Sequence, residues 1–182
     1  GFGTVGTGIY KIINSKDNSH PILKDIEIVK IAVKDINKKR EIILEENLLI
    51  DDPNKLIDDP SIDVIVEVMG GIDIAKEIIL NSLKAGKSVV TANKAVMARY
   101  GSEIYQTAAR EGVYILSEAA VCGGIPIIEP LKRSLKSNFI KKMVGIINGT
   151  TNFILTKMTN EKADYKETLK LAQKLGFAEF DP

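Results

Sequence analysis

The sequence predicts an α/β fold: a doubly wound parallel sheet that gives way, in the last third of the chain, to the start of an α+β domain. Three observations predict it. Strand-like and helix-like patterns alternate through the first two thirds. A β-branched run at residues 63–69 ends on Gly70 and Gly71, the pattern of a buried parallel strand. After Glu118 the texture changes, and a glycine-rich turn at 121–126 replaces the alternation.

Taken in order, residues 4–15 read as a helix with Val5, Ile9, Ile12 and Ile13 on one face. Residues 14–21 are polar and read as a loop, 26–33 as a strand, and 38–49 as a short helical piece. Asp51-Asp52-Pro53 and Asp58-Asp59-Pro60 read as turns or caps. The strand at 63–69 is followed by a helix over 75–85, stopped at Gly86. A short strand at 88–91 precedes a helical region that starts at 95–100, continues at 103–111 and ends at Gly112. Residues 113–116 form the next strand. Beyond Glu118, a helix is expected at 127–135 and a partly alternating strand at 140–147. A polar loop at 148–152 then leads to a helix at 153–158, and a last helix over 166–174 ends at Gly176. The domain boundary is placed near Glu118, dividing residues 1–117 from 118–182.

Composition narrows the function classes. With 182 residues there is room for one large domain, or for one domain and part of another. A net charge of +1 gives no reason to expect nucleic acid or an acidic membrane surface as a partner. The single cysteine excludes an internal disulfide and suits a reducing, cytoplasmic compartment. One His and one Cys exclude a Cys/His zinc site. No apolar run reaches the ~18–20 residues of a membrane span. No secretory leader is visible, although the first residue is not Met.

The opening stretch, Gly1-Phe2-Gly3-Thr4-Val5-Gly6, has the spacing of a dinucleotide-binding loop. A pyrophosphate is bulky and doubly charged; glycines let backbone approach it, and a helix N-terminus supplies N–H donors and a favourable dipole. A tight glycine-rich turn is the plain alternative. The following helix and the strand at 26–33 complete the later part of a βαβ unit and favour a Rossmann-type domain, whose first strand is expected to precede Gly1. The end of the second strand then reads the adenosine ribose. Lys34, Lys38 and Arg40 suit a 2′-phosphate, and Asp35 suits a free hydroxyl. A merely solvated loop is the alternative, as for most charge runs; as a cofactor loop it points to NADP, or to use of both NADP and NAD.

Lys94, in Thr91-Ala92-Asn93-Lys94-Ala95, lies just past a parallel strand, where ligands of open α/β sheets bind. A solvent-facing lysine at a helix start is the alternative on that fact alone. Three further stretches decide it: Ser117-Glu118-Ala119-Ala120-Val121-Cys122-Gly123-Gly124-Ile125-Pro126-Ile127-Ile128, Gly145-Ile146-Ile147-Asn148-Gly149-Thr150-Thr151-Asn152-Phe153-Ile154-Leu155, and Ala172-Gln173-Lys174-Leu175-Gly176-Phe177-Ala178-Glu179. With the opening loop, these closely resemble the homoserine dehydrogenases, along essentially the whole chain.

The resemblance implies an NAD(P)-dependent oxidoreductase that interconverts L-homoserine and L-aspartate 4-semialdehyde, in threonine, methionine and isoleucine biosynthesis. It implies cofactor contacts at Phe2, Thr4 and Val5 in the loop of Gly1, Gly3 and Gly6, nicotinamide-side contacts at Gly70 and Thr91, and a further contact at Gly176. Lys94 matches the family's first active-site lysine. Glu118 and the carbonyls of Val121, Gly123 and Ile125 match a monovalent cation site, usually sodium. Gly149, Thr150 and Glu179 match substrate contacts. The residue types suit the chemistry: a lysine whose pKa is lowered from ~10.4 can carry the hydroxyl proton. A carboxylate such as Glu179 meets the substrate ammonium, while N–H and O–H donors near Gly149 and Thr150 meet its carboxylate. Oxygen ligands suit a hard cation.

In this family residues like 179–182 are followed by a segment carrying a substrate-binding aspartate and a second, principal catalytic lysine. That segment, the first strand and the rest of the substrate and dimerisation domain are expected to lie outside these 182 residues. The intact protein is expected to be an active homodimer or homotetramer, and the piece alone inactive. The rivals are another amino-acid semialdehyde dehydrogenase or reductase, and a nucleotide-binding regulatory module without catalysis. Cys122 as a nucleophile would suggest an acylating aldehyde dehydrogenase; it reads instead as a small buried packing residue. His20, beside Pro21 in a polar loop, reads as a surface residue.

Overall fold

The computed structural model describes residues 1–15, 20–45 and 47–178. It forms two compact units, Gly1–Glu129 and Pro130–Pro182.

In the first unit, α1 runs Thr4–Ile13, directly off the glycine-rich stretch. A 3₁₀ turn, Pro21–Asp25, leads to β1, Ile31–Ala32, which pairs in parallel with β2, Leu49–Ile50. The strand expected at 26–33 is thus reduced to its end. Among the described residues a partner lies alongside only there: Ile31 N–H donates to the Leu48 carbonyl and Val33 N–H to that of Ile50, both at 2.8 Å. The helical piece expected at 38–49 does not form. Leu48 joins Ile31 and Val33 in a small core, with Leu44 and Leu49 against it, so tertiary packing overrides local propensity. Between the two Asp-Asp-Pro turns lies a helix not expected from sequence, α2, Asn54–Asp58. Asp52 starts it by accepting the Asn54 N–H (2.9 Å), and Asp59 ends it in a turn with Ser61.

The main sheet has three parallel strands in the order β3 (Val64–Glu67), β4 (Ser88–Thr91), β5 (Ile115–Leu116). Helix α3, Asp73–Lys84, connects β3 to β4, and α4, Lys94–Glu111, connects β4 to β5. Gly86 and Gly112, at φ +78° and +70°, end the turns after these helices as a left-handed cap requires. The helical region expected from 95 to 111 is one continuous helix, α4. Ile79, Leu83, Val89, Val96 and Ile104 are fully buried where α3 and α4 meet one face of the sheet. Truncating Leu83 to Ala there costs about 2–5 kcal/mol. The expectation that β3 is buried on both faces is corrected. Ile65 and Glu67 point into this core, but Val64 and Val66 are 48% and 41% exposed, because α3 and α4 cover only the other face. Lys87 is buried and donates to the Asp59 and Ile62 carbonyls, tying the turn before β3 to the start of β4.

In the second unit, the helix expected over 127–135 is a single π turn, Pro130–Ser134. Pro130 has no N–H for a helical ladder, and the amides of Ile127, Ile128 and Glu129 are engaged by the Glu118 carboxylate. The strand expected at 140–147 is not formed. No partner strand lies beside it among the described residues, and Val144 and Ile147 are 85% and 89% exposed. Helix α5, Gly149–Glu161, starts inside the stretch read as a polar loop, since the Asn148 side chain accepts the Thr151 N–H (2.8 Å) and caps it. Asp164 likewise caps α6, Tyr165–Lys174. Gly176, at φ +80°, reverses the chain after α6, with Phe177 N–H donating to the Ala172 carbonyl (2.8 Å).

Candidate functional site

The three glycines of the opening loop do different work. A Cβ on Gly6 would stand 2.3 Å from the Gly1 carbonyl oxygen, so the turn closes only on a residue without a side chain. A Cβ on Gly1 would meet the Val68 carbonyl at 3.0 Å, which places the loop beside the C-terminal end of β3. Around Gly3, the N-cap of α1, nothing lies within 4 Å of a Cβ, so backbone there is open to a ligand. No side chain caps α1 and no acid stands in its first turn, which leaves that end electropositive for an anion. Thr4 and Val5 are exposed in this first turn, whereas Phe2 packs edge-on to Tyr10 (5.7 Å) and against the small core at β1. These features fit a pyrophosphate.

At the ends of β3 and β4 is a closed ring of polar groups that sequence reasoning did not assign. Glu67 is buried; one carboxylate oxygen accepts the Met69 N–H (2.8 Å) and the other accepts the Thr91 hydroxyl (2.6 Å). That hydroxyl in turn accepts the Asn93 N–H (3.0 Å). The Asn93 side chain donates to the Gly71 carbonyl (2.9 Å) and accepts the Val96 N–H (3.1 Å), capping α4. Lys94 is the first residue of that helix and is exposed. Gly70 is exposed at the tip of the turn that the ring holds, and Gly71 has φ +86°. The Thr91 side chain, 1% exposed, therefore faces the ring. One signal was available: a glutamate in a β-branched run is almost never buried without partners.

The loop after β1 carries Lys34 and Lys38, both exposed, and Arg40, half-buried. The Arg40 guanidinium donates to the carbonyls of Asp35 (2.6 Å), Ile36 (3.0 Å) and Lys38 (2.7 Å), so it braces the loop from inside. Asp35 accepts the Asn37 N–H (2.9 Å). Lys38 and Arg40 line an open pocket of about 500 Å³ with Ile36, Ile42 and Leu44.

After β5, Glu118 opens a 3₁₀ turn, and its carboxylate accepts the N–H groups of Ile127, Ile128 (2.9 Å) and Glu129 (2.8 Å). The chain between them, with Val121, Gly123 and Ile125, is a surface loop in which Cys122 and Gly123 both have positive φ (57° and 59°). Cys122 is exposed there, which corrects its reading as a buried packing residue. His20 is exposed, as expected. Among the described residues no group of three or more His, Cys, Asp or Glu side chains could hold a metal ion. A cation at Glu118 would need main-chain oxygens, as the sequence reading supposed.

In the second unit, the Thr150 hydroxyl donates to the Phe177 carbonyl, and the Phe153 and Phe177 rings lie 4.9 Å apart. The N-terminus of α5, with Gly149 and Thr150, is so held against the turn after α6 that contains Gly176. Glu179 lies outside the described residues.

Known proteins share this layout. A family profile described as "Homoserine dehydrogenase, NAD binding domain" matches residues 1–118, and one described as "Homoserine dehydrogenase" matches residues 126–182. The chain belongs to the homoserine dehydrogenase family. It is 50% identical to the homoserine dehydrogenase of Synechocystis over its whole length. It spans 42% of that relative. Among solved structures, a homoserine dehydrogenase from Thiobacillus denitrificans aligns with a TM-score of 0.88 at 42% identity, over 100% of this chain and 42% of that one. A hyperthermophilic archaeal homoserine dehydrogenase in complex with NADPH aligns with a TM-score of 0.64 at 34% identity, over 72% of this chain and 40% of that one. Within the homoserine dehydrogenase family, then, the glycine loop, the Glu67 ring and Lys94 belong to the stretch matched by the NAD binding profile. Gly149, Thr150 and Gly176 belong to the stretch matched by the second profile.

Proposed function

We propose that this chain is the cofactor-binding portion, and the beginning of the catalytic portion, of an enzyme that interconverts L-homoserine and L-aspartate 4-semialdehyde with NADP or NAD. The observation that carries it is the placement of Lys94: it opens α4 immediately past β4, with the Gly70–Gly71 turn held to the same helix cap and the glycine loop seated at the end of β3. In open parallel sheets this is the crevice that receives dinucleotides.

The nicotinamide ring, when bound, supplies the acceptor or donor of hydride. This chain's residues contribute as follows. Gly3 and the first turn of α1 receive the pyrophosphate, and Phe2, Thr4, Val5 and Gly6 shape that cradle. Lys34 and Lys38 reach the ribose end, on a loop that Arg40 braces. Gly70 and the Thr91 backbone border the nicotinamide side. Lys94 moves the proton of the homoserine hydroxyl as the carbonyl forms. Gly149 and Thr150 offer donors to the substrate carboxylate, Glu179 meets its ammonium, and Gly176 adds a cofactor contact. A sodium-like ion fits Glu118 with the carbonyls of Val121, Gly123 and Ile125. The set is all oxygen, which suits a hard cation. Its proposed role is to brace that turn.

The same reading makes residues 1–117 the dinucleotide domain and 118–182 part of the catalytic one. It places the full-length protein in the cytoplasm as a homodimer or homotetramer, serving threonine, methionine and isoleucine biosynthesis. The test is oxidation of L-homoserine by the full-length protein, followed by NAD(P)H absorbance, with Lys94→Ala alongside. Activity in the wild type that falls by orders of magnitude in the variant is expected. No turnover in the wild type with either cofactor would sink the proposal.

A further inference from the structure

We infer that Glu67 is a positioning residue: through the Thr91 hydroxyl and the Asn93 amide, its buried carboxylate fixes where Lys94 begins α4 and where the Gly70–Gly71 turn leaves β3. The inference rests on the proposed role of Lys94 and deepens it.

The ring needs a forked acceptor. Two donors converge on Glu67 from different elements: the Met69 N–H from its own strand end, and the Thr91 O–H from β4. A carboxylate satisfies both, one on each oxygen. A glutamine does not. Turned one way, its NH₂ faces the Met69 N–H; turned the other, it faces the Thr91 hydroxyl, which then has no acceptor for its own proton. Because Thr91 spends its proton on Glu67, its lone pairs point toward the Asn93 N–H. That bond fixes Asn93, whose side chain performs two tasks at once: it caps α4 through the Val96 N–H and holds the Gly71 carbonyl. Lys94 lies between the two anchor points of this cap, Asn93 and Val96. A change at Glu67 therefore reaches Lys94 through three hydrogen bonds, and reaches Gly71 through the same asparagine. A buried acid that served only to fill the core would be replaced without cost by an apolar residue of its shape. This one is joined at each step to backbone facing the cofactor crevice.

The test uses the full-length enzyme with Thr91→Val, which removes the relay hydroxyl at nearly constant shape, Thr91→Ser, which keeps it, and Glu67→Gln. Each is also made in the Lys94→Ala background. Folding is followed by thermal melting, and kcat and KM for L-homoserine are measured. Thr91→Val and Glu67→Gln are expected to lower kcat by about 100-fold, the scale of an ångström-level misplacement of a reacting group. KM is expected to change less, and Thr91→Ser, which keeps the hydroxyl, to lose clearly less kcat than Thr91→Val. In the Lys94→Ala background the same changes should lower kcat by no more than about twofold, because the residue they position is gone. Wild-type kcat in folded Thr91→Val, or losses that multiply in full with that of Lys94→Ala, would overturn the inference while leaving the proposed reaction intact. Failure of both Thr91→Val and Glu67→Gln to fold would also overturn it, since the ring would then serve stability alone. Near-normal turnover of Lys94→Ala alone would remove the role of Lys94 itself, and the inference with it.

Discussion

Gly3 and Gly6 share a motif, yet their surroundings give opposite expectations. Gly6→Ala forces a Cβ onto the Gly1 carbonyl, so it is expected to destabilise the fold by about 1–3 kcal/mol, read in denaturant melts. Gly3→Ala meets no protein atom within 4 Å and should cost less than about 1 kcal/mol of stability. It should nevertheless weaken NADPH and NADH alike by about tenfold, equivalent to about 1.4 kcal/mol, because the space it fills is the ligand's. Unchanged Kd values in a folded Gly3→Ala protein would refute the cradle. The cations of the next loop divide in the same way. Lys38→Ala is expected to weaken NADPH more than NADH. Arg40→Ala releases three carbonyls that shape the loop and should weaken both, with little change in their ratio. The residue type alone suggested a phosphate ligand at both positions; only the direction of the Arg40 donors separates them.

Among the elements, α3 and α4 are joined outside their apolar seam by Lys76, whose ammonium lies 2.9 Å from the Glu103 carboxylate and 4.2 Å from the centre of the Tyr100 ring. The hydrogen bond to Glu103 holds the Lys76 pKa above the ordinary lysine value. A raised folded value means that the joint contributes fully below the ordinary value of 10.5 and is lost as pH rises through the folded one. The melting difference between wild type and Lys76→Met should therefore hold at neutral pH, be small, and close on the alkaline side as pH rises above 10.5. A difference that persisted unchanged after the lysine had lost its proton would assign the joint to another group. Capping set element boundaries that composition blurred. Asn148 turned a polar stretch into the first turn of α5, and Gly86 and Gly112 stopped α3 and α4 where glycine was read as a stop.

At the scale of the molecule, the parallel sheet, its crossover helices and the position of Lys94 were legible because they depend on local patterns: β-branched runs, helical periods and glycine stops. The Glu67 ring was not. Its members come from two strands 24 residues apart, and only the parallel register that sets Glu67 beside Thr91 brings them together. The stretch at 140–147 failed for a related reason: alternation describes a strand's side chains, but a strand exists only where something completes its hydrogen bonds. Phe139, Val144 and Ile147 consequently stand more than four-fifths exposed. Val144→Lys is expected to reduce dye binding and light scattering of the 182-residue chain while its far-UV circular dichroism stays constant. Unchanged scattering would show that this stretch does not govern self-association.

The exposure of Cys122 gives the molecule a practical property. It is the sole thiol of the sequence, and it stands on a surface turn pinned by the three amide bonds of Glu118. On these 182 residues a maleimide fluorophore would attach at one place without any engineered cysteine. Its emission would test the cation proposed at that turn without an assay of turnover.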